Sequence, residues 1–327
     1  MKKIYGNDEL LGTLNAMVQS GRTAQSVIFY GETGSGRFSA ATYYTAQLMC
    51  QSPVEGAPCG CCTACRTVMS LSHPDVTLVP TSGKLGGYSV ETARAVCSDA
   101  FVKPNNRSGR KVYIFRNCRN MDVRTQNTLL KLIEEPPEYA LFLFTAESKY
   151  EFLPTIISRC VCFGLSLCTE EESRLALREE GYGEEEIEQA VSCFHGNVGM
   201  CSQYIMDERL RRLVDLTKAL SESIIRKDEY GLNCAFYSVG SDRESVRNVL
   251  SMTDKLFRDA AVLAKDSSAR TISCCPDSAA RLSQMISAYQ AARIHYKLEK
   301  AWDAVQHNVS VPLVLAGLCA EMMEIVC

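Results

Sequence analysis

The sequence predicts an α/β fold, with a parallel sheet covered by helices and an all-helical second half. Two observations predict it. In the first half, short apolar runs alternate with segments of helical periodicity. After about residue 169 the strand patterns nearly cease, while helical periodicity continues. The 327 residues are enough for two or three domains, each with its own buried core.

The elements of the first half follow one another in order. Because the apolar runs are nearly continuous, the sheet is expected to be parallel and buried on both faces. The predicted strands are 26–30, 75–80, 111–116, 140–146 and 161–165, and the predicted helices are 9–20, 38–50, 90–101 and 125–135.

The change of pattern along the chain predicts three domains. They cover residues 1–165, 166–206 and 207–327, the first α/β and the other two helical. Residues 265–278 (KDSSARTISCCPDS) are predicted to form a loop between helices of the third domain.

Composition excludes several classes of protein. No apolar run is long enough to cross a bilayer, and the N-terminus lacks the apolar core of a signal peptide, so we expect a cytoplasmic protein without a membrane partner. The formal net charge is −3, from 35 basic and 38 acidic residues. Phosphate binding draws on clustered Lys and Arg, so this balance argues against a free-standing nucleic-acid binder.

The segment GETGSGRF directly after the first strand resembles a phosphate-binding loop. Gly31, Gly34 and Gly36 keep the backbone pattern that wraps phosphates at a helix N-terminus. However, Arg37 stands where a lysine reaches the phosphates, and Phe38 stands where a hydroxyl holds Mg²⁺. Residual nucleotide binding and a glycine turn kept only for packing both stay open here.

The third predicted strand also lacks a metal ligand. Its residues KVYIF run into Arg116, Asn117 and Cys118, and no carboxylate appears before Asp122. Hydrolysis needs an acidic residue at this position to organise Mg²⁺ and water. The sequence therefore predicts no ATP hydrolysis by the chain on its own.

Four cysteines between the first and second strands predict a structural zinc site. Cys50, Cys59, Cys62 and Cys65 follow a C-x8-C-x2-C-x2-C spacing, with Cys61 as an additional thiol next to Cys62. Short spacings with intervening Gly and Pro suit tetrahedral Zn²⁺, and four thiolates leave no position for water. The alternative is a redox or incidental cluster. Cys61 is expected to point away from the metal.

Two further motifs resemble the clamp-loader branch of the AAA+ proteins. The family has an NALLKxLEEPP helix followed by a strand and a T-x-x-SRC motif, and it carries the same cysteine spacing with an HPD sequence after it. This sequence has NTLLKLIEEPP at 127–137, LPTIISRC at 153–160 and HPD at 73–75. The matching residues of the two motifs are Asn127, Leu129, Leu130, Lys131, Glu134, Glu135, Pro136, Pro137, Thr155, Ser158, Arg159 and Cys160.

The resemblance implies an AAA+ domain with an inserted zinc module at about 50–65, then a small helical lid domain and an all-α collar that oligomerises the loader. It also implies that Arg159 acts as an arginine finger, reaching the γ-phosphate of ATP held by a neighbouring subunit. Without the motif, Arg159 is an ordinary surface arginine. In the lid, Met200 stands where the family often has a phosphate-contacting arginine, and Thr145 stands at a polar sensor position.

Among the family's subunit types, the sequence is more similar to delta-prime than to the ATPase subunit gamma/tau. The latter keeps an intact lysine loop and an acidic third strand. The resemblance implies a non-catalytic part of a DNA polymerase III holoenzyme. Its implied partners are gamma/tau-like and delta-like subunits in a pentamer, the sliding clamp, and primer-template DNA through the complex. The alternatives are a clamp-loader ATPase with an atypical loop and a zinc-dependent nucleic-acid binder.

Overall fold

The computed structural model describes residues 3–82, 87–307 and 309–326. The chain divides into two compact units, Met1–Glu172 and Ser173–Cys327. Within the described ranges, no helix combines the length and the apolar character that a membrane span requires.

The first unit contains one five-stranded parallel sheet, as predicted. The strands are β1 (Ser26–Gly31), β2 (Val76–Leu78), β3 (Lys111–Phe115), β4 (Ala140–Ala146) and β5 (Val161–Leu165). Their order across the sheet is β2-β3-β4-β1-β5, and every neighbouring pair is parallel. The carboxyl ends of all five strands therefore lie at one edge of the sheet, where α/β proteins place their sites.

Helices cover both faces of this sheet. They are α1 (Asp8–Gln19), α2 (Arg37–Met49), α3 (Thr63–Met69), α4 (Val90–Asp99), α5 (Val123–Glu134) and α6 (Pro154–Ile157). Alternate residues of a strand point to opposite faces, so β4 sends Leu143 into the core under α1 and α2, and Phe142 and Phe144 into the core under α4 and α5.

The predicted helices and strands of this unit all lie within two residues of the observed ones, and the second strand is shortened at both ends. The second strand was predicted over 75–80, but β2 covers only Val76–Leu78. Val79 still donates its N–H to the carbonyl of Ile114 at 3.0 Å, and Pro80 then has no N–H to extend the pairing. Helices α3 and α6 were not predicted, because seven and four residues are too few to show a helical period.

The second unit is helical. Its helices are α7 (Glu170–Glu179, which begins in the first unit), α8 (Glu184–Phe194), α9 (Val198–Met206), α10 (Glu208–Arg226), α11 (Glu229–Val239), α12 (Arg243–Leu263), α13 (Pro276–Leu282), α14 (Ala288–Gln306) and α15 (Val311–Val326). One apolar core runs through them from Leu177 to Val326. The predicted division of this region at residue 206 stays a prediction.

The predicted loop at 265–278 needs a correction at its end. Helix α13 begins at Pro276, so the last three residues of the predicted loop are helical. Proline is favoured in the first turn of a helix, because its missing N–H would have no intrahelical partner there. The preceding residues are held by the buried carboxylate of Asp259, which accepts the backbone N–H groups of Ile272 at 2.8 Å and Ser273 at 2.7 Å.

Candidate functional site

The loop between β1 and α2 has the backbone of a phosphate loop. Gly36 caps α2 with φ of +93°, a conformation that favours glycine. No side chain caps this helix, and its first turn carries no acidic residue. The positive end of the α2 dipole is therefore not neutralised by a residue of the helix itself.

Arg37 is buried at the start of α2. Its side chain is only 7% exposed, and Nη2 donates to Oγ1 of Thr33 at 3.4 Å, which places the guanidinium beside the loop. Burial lowers the pKa of Arg37, while the carboxylates of Glu147 and Glu151 oppose that shift. Among the described residues, Nη1 of Arg37 and the buried hydroxyl of Ser35 have no hydrogen-bond partner. Two polar groups of the loop are thus left for a ligand or for water.

The position that a metal-binding hydroxyl occupies in an intact loop is filled differently here. The guanidinium of Arg116, which follows β3, lies 4.8 Å from the centroid of the Phe38 ring. This is the geometry of a cation–π contact. The residues after β3 continue with Asn117 at φ of +55° and the buried thiol of Cys118. The end of β3 therefore presents a cation beside an aromatic ring instead of a carboxylate that could bind Mg²⁺.

Glu147, just after β4, was not singled out from the sequence. Its carboxylate accepts from Oγ1 of Thr33 at 2.7 Å and pairs with Nη1 of Arg119 at 3.2 Å. It joins the loop after β1 to the segment after β3. The sequence gives no signal for this, because the three residues are far apart in the chain.

Thr145, at the predicted sensor position, is 1% exposed. Its hydroxyl accepts the backbone N–H of Asn117 at 2.9 Å. The side chain therefore fixes the turn after β3 to the end of β4, which is a structural contact.

The structure brings the four predicted cysteines together. The sulfur atoms of Cys50, Cys59, Cys62 and Cys65 all lie within 4.8 Å of one another, and those of Cys59 and Cys65 are 4.0 Å apart. Tetrahedral Zn²⁺ with Zn–S bonds of about 2.3 Å needs sulfurs about 3.8 Å apart, so only a small contraction would be required. Cys61 is exposed and lies outside the cluster.

Backbone N–H groups point at these sulfurs. Cys59 donates to the sulfur of Cys50 at 3.3 Å, Cys62 to that of Cys59 at 3.4 Å, and Cys65 to that of Cys62 at 3.4 Å. The backbone groups of Cys61 and Cys62 lower the pKa of Cys59 to about 6. Since metal ligands are thiolates, the turn favours at Cys59 the protonation state that a metal needs, whereas burial raises the pKa of Cys50 and Cys65.

The cysteine-rich segment is held against α1 and α2. Gly56 has φ of +81°, and a Cβ atom there would lie 2.1 Å from the carbonyl oxygen of Asn15. Nε2 of Gln47 donates to the carbonyl of Gly56 at 2.9 Å and to Oδ1 of Asn15 at 2.6 Å. The segment therefore has a fixed place on the first unit, and only glycine fits at residue 56.

Arg159 lies in the turn between α6 and β5, and about 40% of its side chain is exposed. Nη2 pairs with Oε1 of Glu134 at 2.9 Å. Nη1 donates to the carbonyl of Thr155 at 3.0 Å and to the hydroxyl of Ser158 at 3.2 Å. The two motifs of the predicted family, 127–137 and 153–160, are thus in direct contact through this arginine.

The other residues of the 127–137 motif divide as expected. Leu129, Leu132 and Ile133 are buried in the core under the sheet, while Asn127 and Lys131 are exposed. The apolar residues hold α5 on the sheet, and the polar ones lie on its outer face.

Gln126 is a residue of this region that sequence reasoning missed. It is 4% exposed, and Nε2 donates to the carbonyls of Met121 at 2.9 Å and Glu151 at 3.0 Å. Its Oε1 accepts the N–H of Leu153, the residue before α6, at 2.8 Å. Gln126 thereby fixes the segment that leads to Arg159.

In the second unit, Met200 stands at the predicted lid position, and His195 precedes it in the turn between α8 and α9. Met200 lies in the first turn of α9 and donates its N–H to Oδ1 of Asn197 at 3.1 Å, and its side chain packs against the apolar core. His195 ends α8 with φ of +52°, and its Nε2 is 3.4 Å from the carbonyl of Ser273. Both contacts are structural within this unit.

Comparison with known proteins shows similarity to subunits of DNA polymerase III. A family model described as "DNA polymerase III, delta subunit" matches residues 6–168. DNA polymerase III subunit delta' of Pseudomonas aeruginosa is 33% identical over 138 residues, which cover 42% of this chain and 42% of that protein. The subunit of the same name in Bacillus subtilis is 31% identical over 146 residues, 44% of this chain and 42% of that protein.

A relative of the other subunit type is also similar. DNA polymerase III subunit tau of Escherichia coli is 29% identical over 171 residues, 52% of this chain and 26% of that protein. The chain thus spans less than half of the length of each of these relatives.

Proposed function

We propose that this chain, whose residues 6–168 match the DNA polymerase III delta-subunit model, is a non-catalytic subunit of a bacterial clamp loader. Its role is to support the ATP-driven loading of a sliding clamp onto primed DNA. Its partners are then gamma/tau-like ATPase subunits and a delta-like subunit in a five-membered ring, together with the clamp and primer-template DNA.

One observation carries this proposal: the phosphate loop keeps its backbone but has lost the residues that handle a metal. Gly36 still caps α2, yet Phe38 packs under Arg116, and the residues from 116 to 121 contain no carboxylate. A loop of this kind suits a subunit that shares the fold of its ATPase neighbours without their chemistry. The same observation disfavours the alternative of an ATPase with an atypical loop.

Arg159 is the residue through which such a subunit would take part in hydrolysis. Its guanidinium is partly exposed at the end of α6, so a neighbouring subunit can reach it. An arginine supplied in trans stabilises the charge that develops on the transferred phosphoryl group.

The cysteine cluster would hold one structural Zn²⁺. Four thiolates fill a tetrahedral site, so the metal would brace the segment from Cys50 to Cys65 and supply no reactive water. Among the described residues, this is the one group of three or more His, Cys, Asp or Glu with metal-binding geometry.

The test is ATP hydrolysis by a reconstituted loader that contains the cognate ATPase subunits, clamp, primed DNA and either wild-type chain or Arg159→Ala. We expect no turnover by the isolated chain. In the complex, Arg159→Ala should slow hydrolysis at the neighbouring site by about 10³-fold. Arg124→Ala is the matched control. It removes an exposed arginine of α5 that does not belong to the 153–160 motif, and it should leave turnover unchanged. Hydrolysis by the isolated chain, or full activity with Arg159→Ala, would overturn the proposal.

A further inference from the structure

The side chain of Glu134 connects the 127–137 motif to the 153–160 motif. It is the last residue of α5, and its Oε1 lies 2.9 Å from Nη2 of Arg159. A carboxylate at the C-terminal end of a helix is unfavourable, because the helix dipole is negative there. A glutamate at this position is therefore better explained by its contact with Arg159 than by a contribution to the stability of α5.

The pair rests on a rigid frame. Gln126 fixes the start of α6 by accepting the N–H of Leu153, and Ile156 of α6 is 1% exposed in the core that also holds α5. The backbone of Arg159 is therefore set by buried contacts. Its long side chain has several rotatable bonds, and only polar contacts near the surface restrict them.

The contacts of Arg159 leave part of its guanidinium available. Nη1 donates to the carbonyl of Thr155 and to the hydroxyl of Ser158, while Nη2 forms an ion pair with Oε1 of Glu134. Within the part of the chain that the structure describes, Nε of Arg159 has no hydrogen-bond acceptor. A guanidinium with a free Nε donor beside Nη2 can bind the oxygens of a phosphate.

We propose that Glu134 is a positioning residue, which holds the Arg159 guanidinium so that its Nε donor stays available to the phosphate of the neighbouring subunit. This inference rests on the proposed function of Arg159. Because both side chains are about 40% exposed, the pair is weak enough not to compete with a phosphate for the arginine. The ion pair restricts the orientations of the arginine side chain in advance. Less conformational entropy is therefore lost when the arginine engages the phosphate.

The experiment uses the complete reconstituted loader and follows phosphate release by stopped flow. The phase that disappears with Arg159→Ala reports the site that this arginine serves. We expect Glu134→Ala to slow that phase about 2- to 5-fold at saturating ATP, without changing the ATP concentration for half-maximal rate. Glu134→Gln keeps an accepting oxygen and should lose less than Glu134→Ala.

Two controls make the result specific. Glu135→Ala removes the neighbouring exposed carboxylate at the same helix end and should leave the phase unchanged. In the Arg159→Ala background, adding Glu134→Ala should have no further effect, since Glu134 acts only through the arginine. Thermal unfolding of each variant checks that α5 and α6 remain folded.

The outcomes separate two kinds of failure. If Arg159→Ala slows hydrolysis but Glu134→Ala does not, or if Glu134→Ala is equally harmful without the arginine, the positioning role is wrong and the proposed function stands. If Arg159→Ala itself has no effect, the proposed function fails first.

Discussion

The guanidinium of Arg116 lies 4.8 Å from the centroid of the Phe38 ring, at the carboxyl edge of the sheet. Phe38 stands where an ATPase loop has a hydroxyl, and Arg116 follows β3 where an ATPase has a carboxylate, so neither position offers a ligand for Mg²⁺. Arg37, Thr33 and Glu147 form a second connection across the same edge. The loop is therefore tied to the segments after β3 and β4 by the chain's own side chains.

Restoring the loop sequence should not restore hydrolysis. The double variant Arg37→Lys, Phe38→Thr gives the chain the lysine and the hydroxyl of an intact loop. It still lacks a carboxylate after β3, where Arg116, Asn117 and Cys118 stand, so Mg²⁺ has no acidic anchor at the end of that strand. We expect phosphate release by the isolated variant to stay at the background of a protein-free control. Steady turnover by this variant would mean that the loop was the only missing part.

The isolated chain is expected to contain one Zn²⁺, measured by elemental analysis after purification without added chelator. Cys65→Ser should lose the metal and lower the melting temperature of the first unit, because Cys65 is a fully buried residue of α3. Cys61→Ser is the matched control, since Cys61 is exposed and outside the cluster. Equal zinc content in wild type and Cys65→Ser would contradict the site.

The fold could be predicted from the sequence where local patterns determine it. The strands β1 and β4 are continuous apolar runs, and Pro136 and Pro137 mark the end of α5, so their boundaries follow from residue type. Helix α3 could not be found this way. Its seven residues start from a cap by the Cys62 sulfur, which is one of the clustered cysteines.

In the candidate site, too, local motifs could be predicted from the sequence and long-range contacts could not. The spacing of the cysteines and the changes at Arg37 and Phe38 are visible in the sequence, because each is a local motif. The contacts of Glu147 with Thr33 and of Gln126 with Leu153 are not, because they join residues separated by 114 and 27 positions. No periodicity or motif records such pairs, and only the folded chain brings them together.

Gln126→Ala should destabilise the first unit by about 1–3 kcal/mol. The change leaves the N–H of Leu153 and the carbonyls of Met121 and Glu151 without their buried partner. Urea unfolding followed by far-ultraviolet circular dichroism measures the loss. Asn127→Ala, the exposed neighbour on the same helix, should change the free energy of unfolding by less than about 0.5 kcal/mol. Equal effects of the two variants would show that the Gln126 contacts contribute nothing.

The stability of the second unit should depend on pH through His295. Its Nδ1 lies 2.6 Å from Oδ1 of Asp254, so that α14 and α12 are joined by this pair. The hydrogen bond to Asp254 raises the pKa of His295, the negative charges of Asp254 and Glu299 add to it, and partial burial opposes it. A pKa that is higher in the folded chain means that the folded state binds the proton more tightly.

The sign of the effect follows from that difference. The stabilisation is complete below the unfolded pKa of about 6.5 and is lost as the pH rises through the raised pKa of the folded state. We therefore expect wild type to exceed His295→Gln in free energy of unfolding at pH 5.5 and this excess to fall at pH 9. Because both groups are partly exposed, its size should be no more than about 1 kcal/mol. Asp254→Asn should remove the same pH-dependent part of the free energy of unfolding. The double variant His295→Gln, Asp254→Asn should lose no more than either single variant. An excess that grows with pH would refute this assignment, since the pair can stabilise the fold only while the imidazole carries its proton.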